Sequence, residues 1–223
     1  MKFSKIYNKG QAQIFRNPLL EIFTKSHPVV ILGIYIPVII FLLNYGYNRM
    51  ELTFPGIVIS FFAGMFFWTF FEYLMHRYIF HFMAENEKAT RIVYIIHGNH
   101  HEYPRDRERL FMPPLPSLLL ALVIFGLIYL AGSLFNLENY AFSFFPGFLF
   151  GYLLYGSMHY AIHAWKPPFK WMKSLWRNHH LHHYKNEEYG FGVSTTLWDR
   201  VFGTMFRRDE ETGDKQAPRN ISR

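Results

Sequence analysis

Four long runs without a single charged side chain decide what this 223-residue chain can fold into. They span residues 27–48, 52–71, 115–136 and 139–165, and each supplies the ~20 apolar residues that a helix needs to cross a hydrocarbon core. Between them lie basic stretches that carry histidines. The pattern predicts an all-α integral membrane protein with four transmembrane helices, connected as two hairpins. The first run begins too far from Met1 and runs too long for a cleaved signal peptide, so it is expected to stay as an anchor. The 23 Lys and Arg residues follow the same division. Five precede residue 28, six fall in 72–114 and eleven follow residue 163, whereas the two remaining turns hold one and none. The positive-inside rule puts the three rich segments in the cytoplasm. The net charge of +7 then reflects topology and attraction to anionic head groups. No nucleic-acid-binding motif accompanies it. There is no cysteine, which excludes disulfides, thiolate metal sites and cysteine nucleophiles. No internal repeat of 20–50 residues is visible.

Of twelve histidines, His27 precedes the first span and reads as interfacial. The other eleven fall in four groups on the predicted cytoplasmic side: His76 and His81; His97, His100 and His101; His159 and His163; His179, His180, His182 and His183. A tag or random tract would not recur at two helix ends and in both intervening segments. Positions 97, 100 and 101 are i, i+3 and i+4, and 179, 182 and 183 repeat that spacing, so each trio shares a helical face. His180 falls about 100° from His179 and is left out. His159 and His163 are i, i+4. His76 and His81 are i, i+5, about 140° apart on an ideal helix, and share a site only if the helix distorts or the two face different ions.

Ten imidazoles suit two metal ions with about five ligands each, with room for water or oxygen. Zinc hydrolases keep about three protein ligands and a carboxylate base, and no H-E-x-x-H is present. Redox chemistry at a pair of irons is the better match, with imidazoles where the di-iron helix bundles use carboxylates. A dimetal site in a cytoplasmic helical cap, at the mouth of a membrane bundle, suits an amphipathic lipid whose tail lies in the bilayer. Hydroxylation and desaturation are not separated by these arguments.

The boxes resemble the fatty acid hydroxylase and sterol desaturase superfamily of membrane di-iron enzymes, and within it the fatty acid 2-hydroxylases. The resemblance rests on WTFFEYLMHRYIFH (68–81), HGNHHEYPRDRERLFMPP (97–114), GYLLYGSMHYAIH (151–163) and HHLHHYKNEEYGFGVSTTLWDRVFGT (179–204), and covers roughly residues 60–205. It implies a single hydroxylase-type membrane domain over 1–223, with the ten histidines above as ligands of two iron ions and His180 again omitted; zinc would substitute in purified protein. It implies an O2-dependent monooxygenase that removes a C2 hydrogen from a long-chain acyl group, free or within a ceramide-type sphingolipid, and returns a hydroxyl. Many eukaryotic members carry a cytochrome b5 domain with a heme-binding His-Pro-Gly-Gly, which is absent here. A separate electron donor is therefore expected, such as cytochrome b5 or ferredoxin with its reductase. The family often has Asp where this chain has Gly156, a departure that bears on the substrate head group.

Glu72 and Tyr160 are candidate outer-shell residues, Glu72 as a carboxylate that orients a ligand imidazole. Asp106 and Arg109 are read as holding their loop, and Tyr184 as a neighbour of the ligands. Trp165, Trp171 and Trp176 suit an interfacial belt. Lys166, Lys170 and Lys173 are expected to face lipid head groups, or less readily an acidic electron donor. Residues 208–223 read as a disordered tail. Two rivals are a sterol, carotenoid or alkyl-lipid oxygenase or desaturase, which lacks the flanks of the His97 box, and a membrane metal transporter or sensor, which should place its ligands near the bilayer midplane.

Overall fold

Proline and small polar caps start the long helices where the uncharged runs begin. In a computed structural model that describes residues 5–206, His27 caps α2 (Pro28–Arg49) by accepting from the Val29 N–H, and Thr53 caps α3 (Phe54–Leu74) by accepting from the Gly56 N–H. Proline sits in the first turn of both, where its missing N–H costs nothing. A short α1 (Pro18–Ile22) precedes them. The cap carries α4 (Glu87–Val93) and α5 (Asn99–Glu102). The second pair of spans is α6 (Pro114–Ser133) and α7 (Ala141–Ala164), followed by α8 (Lys173–Tyr184) and α9 (Leu197–Val201). α2, α3, α6 and α7 are all long and apolar enough to cross a membrane, so the chain is an all-helical membrane protein as its sequence predicts. The tail from 208 lies outside the described residues.

The chain connects the spans as two hairpins, yet the packing centre is α7. In the most apolar stretch of α7, 56% of residues are buried inside the protein, against 6% for α6. α7 lies against both α3 and α2. Glycine makes the α3–α7 contact possible: a Cβ on Gly64 would sit 1.9 Å from the Phe144 carbonyl oxygen, and one on Gly147 would sit 1.9 Å from that of Phe61. Backbones that approach this closely exclude any larger residue, as small-residue interfaces in membranes do.

These contacts expose an internal symmetry. Gly147 follows Gly64 by 83 residues, and Phe144 follows Phe61 by the same interval. His159 follows His76 by 83 as well, and His163, His179, His182 and His183 follow His81, His97, His100 and His101 by 82. The chain is thus two similar halves about a pseudo-twofold axis between α3 and α7. The period is too long to meet the eye as a short repeat. The single-residue change falls between His76 and His81, where the helix turns π from Met75 to Phe80 and takes up one extra residue.

Gly64→Ala or Gly147→Ala should lower the melting temperature sharply in detergent, with a cost of at least about 1–3 kcal/mol from overpacking. Gly33→Ala and Gly126→Ala, whose added Cβ meets nothing within 4 Å, should leave it unchanged.

Candidate dimetal site

The π turn answers the open question of His76 and His81. The His81 N–H donates to the His76 carbonyl at 3.2 Å, an i→i+5 bond that stacks the two residues on one side of the helix. A second π turn, Tyr94–Gly98, delivers His97 to the start of α5. The ten predicted histidines gather in two groups of five, His76, His81, His97, His101 and His182, and His100, His159, His163, His179 and His183, each with its ligand-capable nitrogens within 4.8 Å of one another. Each trio on a shared face is divided between groups: His97 and His101 join the first and His100 the second, while His179 and His183 join the second and His182 the first. The groups abut, with the His101 and His183 rings stacked at 4.3 Å. His180 stands apart and donates its Nδ1–H to the Trp176 carbonyl at 2.6 Å.

Nε2 faces Nε2 throughout. The distances are 3.1 Å for His76–His97 and His97–His101, 3.0 Å for His81–His182, 2.9 Å for His100–His159 and His163–His179, and 3.1 Å for His179–His183. Two imidazoles bound at right angles to one ion at about 2.1 Å would hold their nitrogens about 3.0 Å apart. The protonation pattern agrees. Nδ1 of His76 and of His182 lie 2.5 and 2.7 Å from the carbonyls of Phe191 and Tyr189. A carbonyl only accepts, so both Nδ1 atoms carry the proton and both Nε2 atoms present bare lone pairs. These two lone pairs face the Nε2 atoms of His97 and His81, so in each place two ring nitrogens converge where one ion could accept from both. Each group therefore suits a metal ion.

The loop that provides those carbonyls is anchored twice. Asp199, fully buried, accepts from the Phe191 and Gly192 N–H groups at 2.9 Å each, from Thr204 Oγ1 at 2.8 Å and from Asn178 Nδ2 at 3.2 Å. Glu72, also buried, accepts from the N–H groups of Val193 and Ser194 at 2.7 and 3.0 Å and from the Ser194 hydroxyl. Glu72 thus reaches the metal site through the 191–194 backbone and not, as expected, by touching an imidazole. Nothing in the sequence singles out Asp199 beyond its place in the Leu-Trp-Asp run. The Gly-Phe-Gly before it is legible afterwards: Gly190 has φ +73°, and a Cβ on Gly192 would lie 2.1 Å from the Thr195 carbonyl oxygen.

Other expectations change place. Tyr160 packs on Trp165, ring to ring at 5.5 Å; the tyrosines beside cluster histidines are Tyr155, stacked on His159 at 5.7 Å, and Tyr184, 6.3 Å from His183. Trp165 and Trp171 are exposed, but Trp176 is buried and donates its indole N–H to the Trp165 carbonyl, so it belongs to the cap and not to a belt. Asp106 and Arg109 form a buried ion pair at 2.5 Å, and Arg109 also pairs with Glu21, which ties the N-terminal segment over the cap. Burial holds the cap histidines, His97, His100, His101, His179, His182 and His183, well below their usual basicity, and neighbouring imidazoles add to the effect.

A cavity of about 400 Å³ runs from the site into the membrane-spanning region. His97, His100 and His159 form its head; Trp68, Phe71, Phe148 and Tyr152 line its length, with Leu120 and Ile124 of α6 among its walls. Gly156 borders it indirectly. A Cβ there would lie 2.1 Å from Phe111 Cε1, so the ring of Phe111 fills the space an aspartate would need.

An all-helical membrane protein with a paired, histidine-only metal site at one end of its bundle is the class that fold and site define. The family model for fatty acid hydroxylase matches residues 61–204, and the chain belongs to that family. It is 37% identical over 207 residues to the ceramide very long chain fatty acid hydroxylase of Saccharomyces cerevisiae, which covers 91% of this chain and 52% of the yeast protein. It is 32% identical over 195 residues to the dihydroceramide fatty acyl 2-hydroxylase FAH2 of Arabidopsis thaliana (86% and 79%), and 37% identical over 155 residues to the human fatty acid 2-hydroxylase (68% and 40%). The chain thus spans about half the length of the yeast relative. The solved structure of full-length scs7p, in which only the hydroxylase domain is visible, superposes with a TM-score of 0.80 at 35% identity, over 90% of this chain and 74% of that one.

Asp199→Ala should release the loop and cost about 10–100-fold in metal affinity, with the loss read from metal content after dialysis. A content equal to wild type would remove the loop from the site's support. In the metal-free protein the cap imidazoles bind protons less readily folded than unfolded. Their contribution to stability is therefore whole above about pH 6.5 and is lost as pH falls below it. The melting temperature of the metal-free protein should drop steadily between about pH 7 and 5 and stay level above that range.

Proposed function

We propose that the chain is an O2-dependent lipid 2-hydroxylase whose ten clustered histidines hold two iron ions, with zinc able to take the same nitrogens in a purified sample. The observation that carries this reading is the apolar cavity whose head is made of His97, His100 and His159. An acyl chain laid along Trp68, Phe71 and Phe148 would bring its carboxyl end, and with it C2, up to the metal site. The names of the relatives point to fatty acids and ceramides as the substrate class. The abundance of Lys and Arg at the histidine-bearing end supports a cytoplasmic placement of the site.

Bound iron supplies the activation of O2 that side chains cannot. Insertion of one oxygen atom at C2 consumes O2, two electrons and two protons, and releases water. The chain's own residues do the rest. The Phe191 and Tyr189 carbonyls keep His76 and His182 in the tautomer that leaves Nε2 free. Asp199 and Glu72 fix the loop bearing the Phe191 carbonyl. Aromatic walls exclude water from the reacting carbon and orient the chain by contact alone. The collection of every cluster histidine at one end of the bundle opposes a transport path, which would put ligands near the midplane.

The test is lipid mass spectrometry on a host without its own 2-hydroxylase, expressing the chain or its His179→Ala, His182→Ala double variant, which strips one nitrogen from each group. The chain should add one oxygen, placed at C2 by fragmentation, and the variant should give none. Oxygen at another carbon, or a new double bond, would overturn the assignment.

A further inference from the structure

Eight of the ten clustered histidines are buried, yet electrons have to reach them one after another. Two cluster members, His81 and His163, are not fully buried. His163 is the one that meets the outer face of α8. Its ring lies 6.4 Å from that of His180, and His180 stacks on Tyr184 at 6.1 Å; Tyr184 in turn is 6.3 Å from His183. Tyr184 is exposed and His180 half-buried. A short run of π systems therefore joins the surface to the second group of five.

That run comes out among cations. Lys173, Arg177, His180 and Tyr184 are spaced i, i+4, i+7 and i+11, one stripe along about 16 Å of helix, and the two cations on it are exposed. Arg105, also exposed, is close enough for its charge to act on His163. Tyr184 Oη donates to Asn8 Oδ1 at 2.7 Å, which brings exposed Lys9 to the same place. Glu188 is the exposed acid at the far end. Trp165, Phe169 and Trp171, all exposed, come just before α8 and suit the bilayer interface, and the stripe begins after them in the chain.

We propose that this face, Lys173, Arg177, His180 and Tyr184 with Arg105 and Lys9, is the docking surface for a one-electron carrier protein with an acidic face. The inference rests on the hydroxylase reading for its need of electrons. Each docking oxidises the carrier by one electron, and two dockings provide the pair that one hydroxylation consumes. Charge complementarity speeds encounter, and the His180–Tyr184 stack gives the seated carrier its nearest approach to His163 and His183.

The test uses the full chain in nanodiscs of zwitterionic lipid, with soluble cytochrome b5 and a [2Fe–2S] ferredoxin as probes. Iron-loaded protein is mixed with reduced probe, and oxidation of the probe is followed by stopped flow. A Lys173→Glu, Arg177→Glu, Arg105→Glu variant should slow that step by about tenfold at low salt and lose most of its salt dependence. Reduction by dithionite through a small mediator should be unchanged, which shows the variant folded and loaded. His180→Leu should slow electron entry while leaving the binding of probe to zinc-loaded protein intact. Equal probe-driven rates in the charge-reversed variant and the parent would overturn the proposal. So would a variant whose only defect is weaker association with anionic vesicles, since the face would then serve lipid head groups. Normal reduction with no hydroxylated product would count against the hydroxylase reading and leave the docking result standing.

Discussion

Everything in this molecule answers to the crowding of ten imidazoles whose Nε2 atoms face one another in close, largely buried pairs. Burial disfavours the charged imidazolium, so the rings stay neutral and their facing nitrogens are open to a shared cation. The surrounding structure is what it takes to hold that arrangement ready: two π turns, a loop held by two buried carboxylates, and α3 and α7 in backbone contact. Support of this kind is found where a site must be rigid before its ligand arrives.

The spans and the choice of histidines were legible because they depend on local composition and spacing. The uncharged runs give the four helices to within a few residues, and the omission of His180 follows from helical angle alone. What spacing cannot show is a departure from regular helix. His76 and His81 look mismatched at 3.6 residues per turn, and the π turn that reconciles them is marked only by their spacing, one residue longer than that of His159 and His163. Spacing also cannot say which ion a residue faces. The trios 97, 100, 101 and 179, 182, 183 share a face and still divide between two groups, because the face looks onto the boundary between them. Glu72, Trp176 and Tyr160 were misread for a common reason: each was judged by its sequence neighbours, whereas its partners lie some distance away in the chain or on the neighbouring turn.

The cavity separates what the family shares from what this chain does differently. Its head is built from histidines and its walls from aromatic rings, and both fit the acyl groups named for the relatives. At Gly156 the absence of a side chain leaves space that the ring of Phe111 occupies. Phe111 lines the cavity, so the wall there is apolar and tightly filled.

The pseudo-twofold relation has a consequence for how the protein comes together. Each half gives its helix pair of histidines and two residues of its trio to one group of five and sends the middle residue, His100 or His182, across to the other. Neither half can complete a coordination shell alone. An ion bound there would stabilise the docking of the halves, and the docking would favour the ion by the same free energy. The backbone contact of α3 with α7 joins the halves within the membrane-spanning region, and an ion held by each group would join them a second time at the histidine-bearing end.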